Sequence, residues 1–279
     1  MRKLYGVIGD PVGHSMSPVM HNDLFNFYGM DRQYFPFHVK PMDLEDAVKG
    51  FKAIGAAGFN VTVPHKTQII PLLDKVDPLA EAIGAVNTVV NENGLLIGYN
   101  TDGRGFVRGL LDRLPAITEK KTLIIGAGGA AKAIYFSLAE AGLKEIDICN
   151  RTAARAEELA KGCPFAVQSA ILGMEEAGKS CDQYDLIIQT TSIGMSPDID
   201  GTPLPFSALK EGCFVSDIIY NPLETRLLSE AARLGAATQN GIDMFVYQGA
   251  LAFEKWTGIF PDTARMKGNV LKQLGGSSC

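Results

Sequence analysis

The sequence predicts an α/β fold, in which short apolar strands alternate with amphipathic helices. Three observations carry that expectation. Short apolar runs recur along the 279 residues, most of them followed by a helical pattern. One run, Leu123-Ile124-Ile125, enters Gly126-Ala127-Gly128-Gly129-Ala130-Ala131 and then an Ala-rich helix, the spacing G-x-G-x-x-A. The next strand ends at Asn150, 24 residues beyond Gly126. A dinucleotide-binding βαβ unit reads its ribose at about that distance, roughly 20 residues on. In such a unit Gly126 permits the tight turn, Gly128 lets backbone approach a pyrophosphate, and Ala131 lets helix pack on strand. The amides and the positive dipole end of the helix face the phosphates.

Composition narrows the class. A hydrophobic content of 46% supports a large core and two domains. The net charge is −5, with no Lys/Arg run that would suit nucleic acid or a membrane surface. No apolar run reaches the ~18 residues of a membrane span, and the first apolar stretch is too short for a secretion signal. Five cysteines without a C-x-x-C pair read as reduced thiols, and four scattered histidines offer no metal-ligand spacing. A cytoplasmic protein without a metal site is the expectation.

The elements follow in order. Leu4 to Ile8 reads as a strand, followed by a turn-rich loop through Ser15-Met16-Ser17-Pro18. Ser17 suits the N-cap and Pro18 the first position of a helix reaching about Tyr28 and stopped by Gly29. Ser15 reads locally as a turn serine. Tyr34 to Val39 is a second strand and Asp43 to Ile54 an amphipathic helix. Phe59 to Val63 is a third strand, ending at Pro64-His65-Lys66, where a new helix is expected. Lys66 thus lies at the mouth of a sheet, where open α/β folds place ligands. His65 reads as a packing or surface histidine.

A short helix over Asp77 to Ile83 precedes a hairpin of Ala85–Val90 and Leu95–Tyr99, turned by Asn93-Gly94. Asn87 is a polar residue inside an apolar arm and needs partners if buried. Asp102 reads locally as the cap of a helix from Gly103 to Leu114. Beyond the glycine unit, after Asn150-Arg151-Thr152, a helix runs to about Lys161. Strands follow at Asp185 to Gln189 and Cys213 to Ile219, then a helix from Glu224 to Leu234 and a strand near Ala236 to Thr238. Helices over Asp243 to Thr257 and Asp262 to Leu274 close the chain, before a tail from Gly275 expected to fray.

The ordered set of motifs resembles the shikimate dehydrogenase family. It comprises Ser15-Met16-Ser17, Asn60-Val61-Thr62-Val63-Pro64-His65-Lys66, Asn87-Thr88 and Asn100-Thr101-Asp102-Gly103. It continues with Gly126-Ala127-Gly128-Gly129-Ala130, Asn150-Arg151-Thr152, Asp217-Ile218-Ile219-Tyr220-Asn221-Pro222, Asn240-Gly241 and Gln248. The resemblance spans nearly the whole chain. It implies an N-terminal α/β substrate domain over 1–102, a Rossmann NADP-binding domain over 103–240, and C-terminal helices over 241–279 that return to the first domain. The implied reaction is reversible reduction of 3-dehydroshikimate by NADPH.

The resemblance also assigns roles. Lys66 and Asp102 fall on the catalytic pair. Ser15 and Ser17 fall on the carboxylate-binding hydroxyls, and Thr62, Asn87, Tyr220 and Gln248 on further substrate contacts. Gly126, Ala127, Gly128, Gly129 and Ala130 form the dinucleotide loop. Asn150, Arg151, Thr152 and Arg155 fall on the adenosine-phosphate contacts, Ile218 and Gly241 on nicotinamide-side contacts. The chemistry agrees: hydroxyls, amides and a carboxylate suit a polyol acid, and an ammonium suits delivery of a proton to a nascent alkoxide. Asn150 replaces the acidic residue that an NAD-type unit uses, and two nearby arginines suit a 2′-phosphate. The alternatives are an NAD-linked quinate/shikimate dehydrogenase and a non-catalytic ligand-sensing protein with this fold. The Ser-x-Ser and Asn-Thr-Asp-Gly elements point away from methylenetetrahydrofolate dehydrogenases, which share a two-domain plan. The oligomeric expectation is a monomer or homodimer.

Overall fold

The computed structural model describes residues 2–275. The expected tail, beyond Gly275, lies outside the described residues. Contacts divide the chain into two compact units. Unit one is Met1–Thr101 with Val246–Cys279, and unit two is Asp102–Phe245.

Unit one opens with β1 (Lys3–Gly9), α1 (Ser17–Phe27), β2 (Arg32–His38), α2 (Leu44–Ala53) and β3 (Gly58–Val61). Then come β4 (Lys75–Val76), α3 (Pro78–Ile83), β5 (Thr88–Glu92) and β6 (Leu95–Tyr99). The six strands form one mixed sheet in the order β2-β1-β3-β5-β6-β4. β1 runs parallel to β2 and β3, whereas β5 is antiparallel to β3 and β6. The hairpin turns as its dipeptide demands: Asn93 and Gly94 sit at φ 55 and 90, the left-handed region needed by a two-residue loop. Asp77 caps α3, accepting Leu79 N–H at 3.1 Å.

Two local expectations do not hold. No helix starts at Pro64; 64–69 is a run of turns followed by a 3₁₀ turn over Ile70–Leu72. His65 is fully buried there, its Nε2 2.6 Å from the Val39 carbonyl, so a tertiary contact overrides the local pattern. Nor does Ser17 cap α1. It is the first helical residue, and its backbone N–H donates to Ser15 Oγ at 3.3 Å. Ser15, not Ser17, supplies the accepting oxygen.

Unit two begins with α4 (Asp102–Leu111), whose first residue is the aspartate expected as its cap. It continues with β7 (Thr122–Ile125), α5 (Gly129–Glu140), β8 (Ile146–Cys149), α6 (Ala153–Lys161), β9 (Ile171–Leu172) and α7 (Met174–Lys179). It then has β10 (Leu186–Gln189), β11 (Phe214–Asp217), α8 (Arg226–Arg233) and β12 (Ala237–Gln239). All five neighbouring pairs in β12-β11-β10-β7-β8-β9 are parallel. Numbered within the unit this is the doubly wound order, reversing between β7 and β10. Its strands are buried apolar runs, as a sheet covered on both faces requires.

α9 (Ile242–Thr257) and α10 (Thr263–Gln273) close the chain. Within unit one, Arg265 on α10 pairs with Asp23 on α1 through two hydrogen bonds, one of 2.7 Å to Oδ1. Trp256 Nε1 donates to the Val89 carbonyl at 3.0 Å. The rings of Tyr5, Phe25, Phe253 and Trp256 form an aromatic layer with centroids 5.1–5.4 Å apart. The last helices therefore complete the first unit's core. No described helix is long and apolar enough to cross a membrane.

Candidate active site

In unit one the candidate residues cluster around the ends of β1, β3 and β5. Ser15 and Ser17 follow β1. Thr62 follows β3 and donates its N–H to the Ile8 carbonyl at 3.0 Å. Lys66 is half-buried in the turn beyond, its carbonyl accepting Val86 N–H at 2.8 Å. Asn87, the residue after Val86, is buried at 2% exposure.

The Asn87 amide is the centre of a buried polar network. Its Oδ1 accepts the Thr101 N–H at 2.7 Å, and its Nδ2 lies 2.9 Å from Thr101 Oγ1 and 3.5 Å from Gln248 Oε1. The structure thus brings Asn87 and Gln248 together, though 161 residues separate them. Asn60 Nδ2 donates to the Asn87 carbonyl at 3.1 Å and to Thr88 Oγ1 at 3.0 Å. Asn60 Oδ1 accepts the Tyr34 hydroxyl at 2.7 Å, and Tyr34 bonds in turn to the Ser17 side chain. Ser17 and Asn87 therefore sit at two ends of one hydrogen-bonded chain. Burial pushes the Tyr34 phenol well above its ordinary range, so it stays a neutral donor.

His21 packs against this chain, stacked on Tyr34 with centroids 4.7 Å apart. It is fully buried, neither ring nitrogen has a partner, and burial lowers it to about 3. Sequence reasoning assigned no role to Tyr34, Asn60, Thr88 or Thr101. The usable signal was the one that found Asn87: polar side chains inside or beside apolar strands.

Unit two presents the other candidates at the C-terminal edge of its sheet. Gly126 follows β7 at φ +114, and a Cβ there would lie 2.6 Å from Thr190 Oγ1, so only glycine makes this turn. Gly128 and Gly129 are exposed, with open space where a Cβ would stand. Gly128 is the N-cap of α5, whose first turn carries no acidic residue. Ala127 and Ala130 are half-buried, and Ala131 is fully buried against the sheet. Past β8, Asn150 Nδ2 donates to the Thr152 carbonyl at 2.8 Å, which shapes the entry to α6. Arg151, Thr152 and Arg155 are exposed around that entry, and the first turn of α6 likewise lacks an acid.

Ile218 and Tyr220 follow β11, and the Tyr220 ring lies 5.3 Å from that of Phe245. Gly241 donates its N–H to the Ile219 carbonyl at 2.8 Å, and a Cβ at 241 would overlap the Ile218 carbonyl. The glycine is required by close backbone approach. Asp102 is half-buried at the first position of α4. Asp217, which ends β11, is 1% exposed, and burial pushes its carboxyl up to about 6. The structure thus supplies a phosphate-compatible helix end, basic groups at the entry to a helix whose first turn carries no acid, and a separate polar network suited to hydroxyl groups.

Comparison with known proteins agrees with both halves. The family description "Shikimate dehydrogenase substrate binding domain" matches residues 7–89, "Shikimate / quinate 5-dehydrogenase" matches 110–196, and "Shikimate 5'-dehydrogenase C-terminal domain" matches 241–271. A Bacillus cereus protein named shikimate dehydrogenase (NADP(+)) is 59% identical over 277 residues, covering 99% of this chain and 100% of its own. The crystal structure of Listeria monocytogenes shikimate 5-dehydrogenase in complex with shikimate and NAD is 40% identical. It superposes with a TM-score of 0.91 and covers 96% of each chain. The Thermus thermophilus enzyme in complex with NADP(H) and shikimate is 35% identical, with a TM-score of 0.87, covering 97% of this chain and 99% of its own.

Proposed function

The chain belongs to the shikimate dehydrogenase family, and from that membership we infer that it reversibly reduces 3-dehydroshikimate to shikimate with NADPH, a step of aromatic amino acid biosynthesis. The observation that carries the reading is the full-length, 59% identical relative named for that activity. The polar network around Asn87 supports it, since a polyol acid needs fixed amide and hydroxyl partners.

In this reading unit one binds the substrate. Ser15 and Ser17 hold its carboxylate, and Thr62, Asn87, Tyr220 and Gln248 are its further contacts. Lys66 gives a proton to the carbonyl oxygen as the ketone becomes an alcohol; in the oxidative direction the neutral amine takes it back. Asp102, the other member of the catalytic pair, accepts a substrate hydroxyl.

The residues of unit two fit NADP. Side-chain-free backbone at Gly128 and Gly129 opens the helix end to a pyrophosphate. Gly126, Ala127 and Ala130 complete that loop. Arg151 and Arg155, with Asn150 and Thr152, would hold a 2′-phosphate, and Ile218 and Gly241 would flank the nicotinamide, which when bound supplies the hydride. Arginine grips phosphate bidentately. A cytoplasmic monomer or homodimer, acting on a small molecule without a nucleic acid or membrane partner, completes the proposal.

The test is turnover of shikimate with NADP⁺ and with NAD⁺, and of quinate with each. The expected result is turnover of shikimate with a preference for NADP⁺. Preference for NAD⁺ would favour the quinate/shikimate alternative. Binding of shikimate without turnover would favour a ligand-sensing protein.

A further inference from the structure

Asp217 carries a buried carboxylate that none of these roles uses. It ends β11, and in register it lies beside Gln189 of β10, which lies beside Ile125 of β7. The ends of β10 and β7 flank the point where the sheet order reverses, and Asp217 lies one strand away. Asp217 Oδ1 accepts the Ile219 N–H at 2.9 Å, and Oδ2 accepts the Thr225 hydroxyl at 2.8 Å. Thr225 is 2% exposed and is the N-cap of α8, its Oγ1 accepting Leu228 N–H at 3.4 Å. One carboxylate thus ties the start and the end of the loop between β11 and α8. Further bonds tie its middle: Gly241 N–H to the Ile219 carbonyl at 2.8 Å, Ser196 N–H to Asn221 at 2.9 Å and Asn240 Nδ2 to Leu223 at 2.9 Å.

The two groups bound to this carboxylate are neutral. Burying a carboxylate on neutral donors alone is expensive. A neutral residue would fill the space at lower cost, so the expense points to geometry that a neutral residue does not enforce. That loop contains Ile218 and Tyr220. We propose that Asp217 and Thr225 form a positioning clasp that presets the loop carrying Ile218 and Tyr220 for hydride transfer. Neither residue touches substrate. The proposal rests on the dehydrogenase reading above. It predicts that the clasp acts chiefly on the rate of the chemical step, because small displacements of reacting groups cost rate steeply.

The experiment compares Thr225→Val, which keeps shape and removes the hydroxyl, Thr225→Ser, which keeps the hydroxyl, and Asp217→Asn. In the ligand-free protein, hydrogen exchange across 218–225 is expected to quicken in Thr225→Val and Asp217→Asn and to stay at the wild-type rate in Thr225→Ser. In steady state, kcat is expected to fall about 10-fold in Thr225→Val and Asp217→Asn, with KM for shikimate and for NADP⁺ within about twofold. The primary isotope effect from substrate deuterated at the transferred position should rise in those two variants alone. A purely structural role would reduce the folded fraction and leave the isotope effect unchanged. Wild-type exchange and isotope effects in Thr225→Val, equal behaviour of Thr225→Val and Thr225→Ser, or unfolding of both Thr225→Val and Asp217→Asn would overturn the clasp. Failure of the wild type to oxidise shikimate would overturn the dehydrogenase reading instead.

Discussion

Thr101 donates its backbone N–H to the side-chain oxygen of Asn87 at 2.7 Å, and its hydroxyl lies 2.9 Å from the nitrogen of the same amide. Both residues are buried, so the amide is held in one orientation with its oxygen toward the Thr101 backbone. Asn87→Ala leaves the buried Thr101 N–H without that acceptor. It should lower unfolding stability by roughly 1–3 kcal/mol. It should also raise KM for shikimate by about 5- to 150-fold, the same energy lost in binding, and leave KM for NADP⁺ near the wild-type value. Urea titration and steady-state kinetics read the two effects separately. An unchanged KM for shikimate would remove Asn87 from the substrate site.

Lys66→Ala should lower kcat by roughly 10²- to 10⁴-fold, the usual cost of losing a general acid–base group. Shikimate binding, measured directly by calorimetry, should persist within about tenfold. A variant with a near-normal rate would assign the proton transfer to another group.

Arg151→Ala should erode the preference for NADP⁺. A charge-assisted hydrogen bond is worth roughly 1.5–3 kcal/mol, so the ratio of specificity constants should fall about 10- to 150-fold. Activity with NAD⁺ should scarcely change. Arg151 is exposed at the start of α6, so its loss should leave the melting temperature alone. An unchanged ratio would place the 2′-phosphate elsewhere.

His21 makes stability pH-dependent in a defined sense. Its folded-state value of about 3 lies below its ordinary 6.5. Below pH 6.5 the unfolded chain therefore binds a proton that the folded chain refuses. Stability from this residue is complete above 6.5 and is lost as pH falls toward 3, by about 5 kcal/mol at the limit. His21→Phe keeps an aromatic ring on Tyr34 and removes both unpartnered nitrogens. Its stability should decline less steeply than the wild type's between pH 6.5 and 4. Parallel urea-denaturation curves against pH would show that His21 does not govern acid sensitivity.

Much of the architecture was legible because local chemistry and tertiary demand coincide. Gly126 is needed by its turn and also by Thr190, and Asn93-Gly94 turns the hairpin as its dipeptide requires. Elsewhere they diverge. Ser17-Pro18 looks like a cap, yet the Ser17 hydroxyl is drawn to Tyr34 while Ser15 accepts the backbone N–H. Pro64-His65-Lys66 looks like a helix start, yet the buried His65 ring meets the Val39 carbonyl. β4 and β9, two residues each, exist through edge pairing with β6 and β8 and leave no periodic trace. The Asn87–Gln248 bond and the Asp217–Thr225 bond depend on which strand ends and helices the fold juxtaposes, which no short window encodes.

The return of α9 and α10 to unit one has a consequence for biosynthesis. Unit two is one unbroken segment, so its parallel sheet has every strand available as soon as residue 245 has left the ribosome. Unit one waits: Trp256, which bonds to Val89, Phe253, which packs on Phe25, and Arg265, which pairs with Asp23, are translated after the whole of unit two. During elongation the N-terminal sheet carries an uncovered aromatic face, the kind of transient apolar surface that chaperones shield. The order of maturation in the cell is thereby set opposite to the order of the chain: the unit translated first is the one finished last.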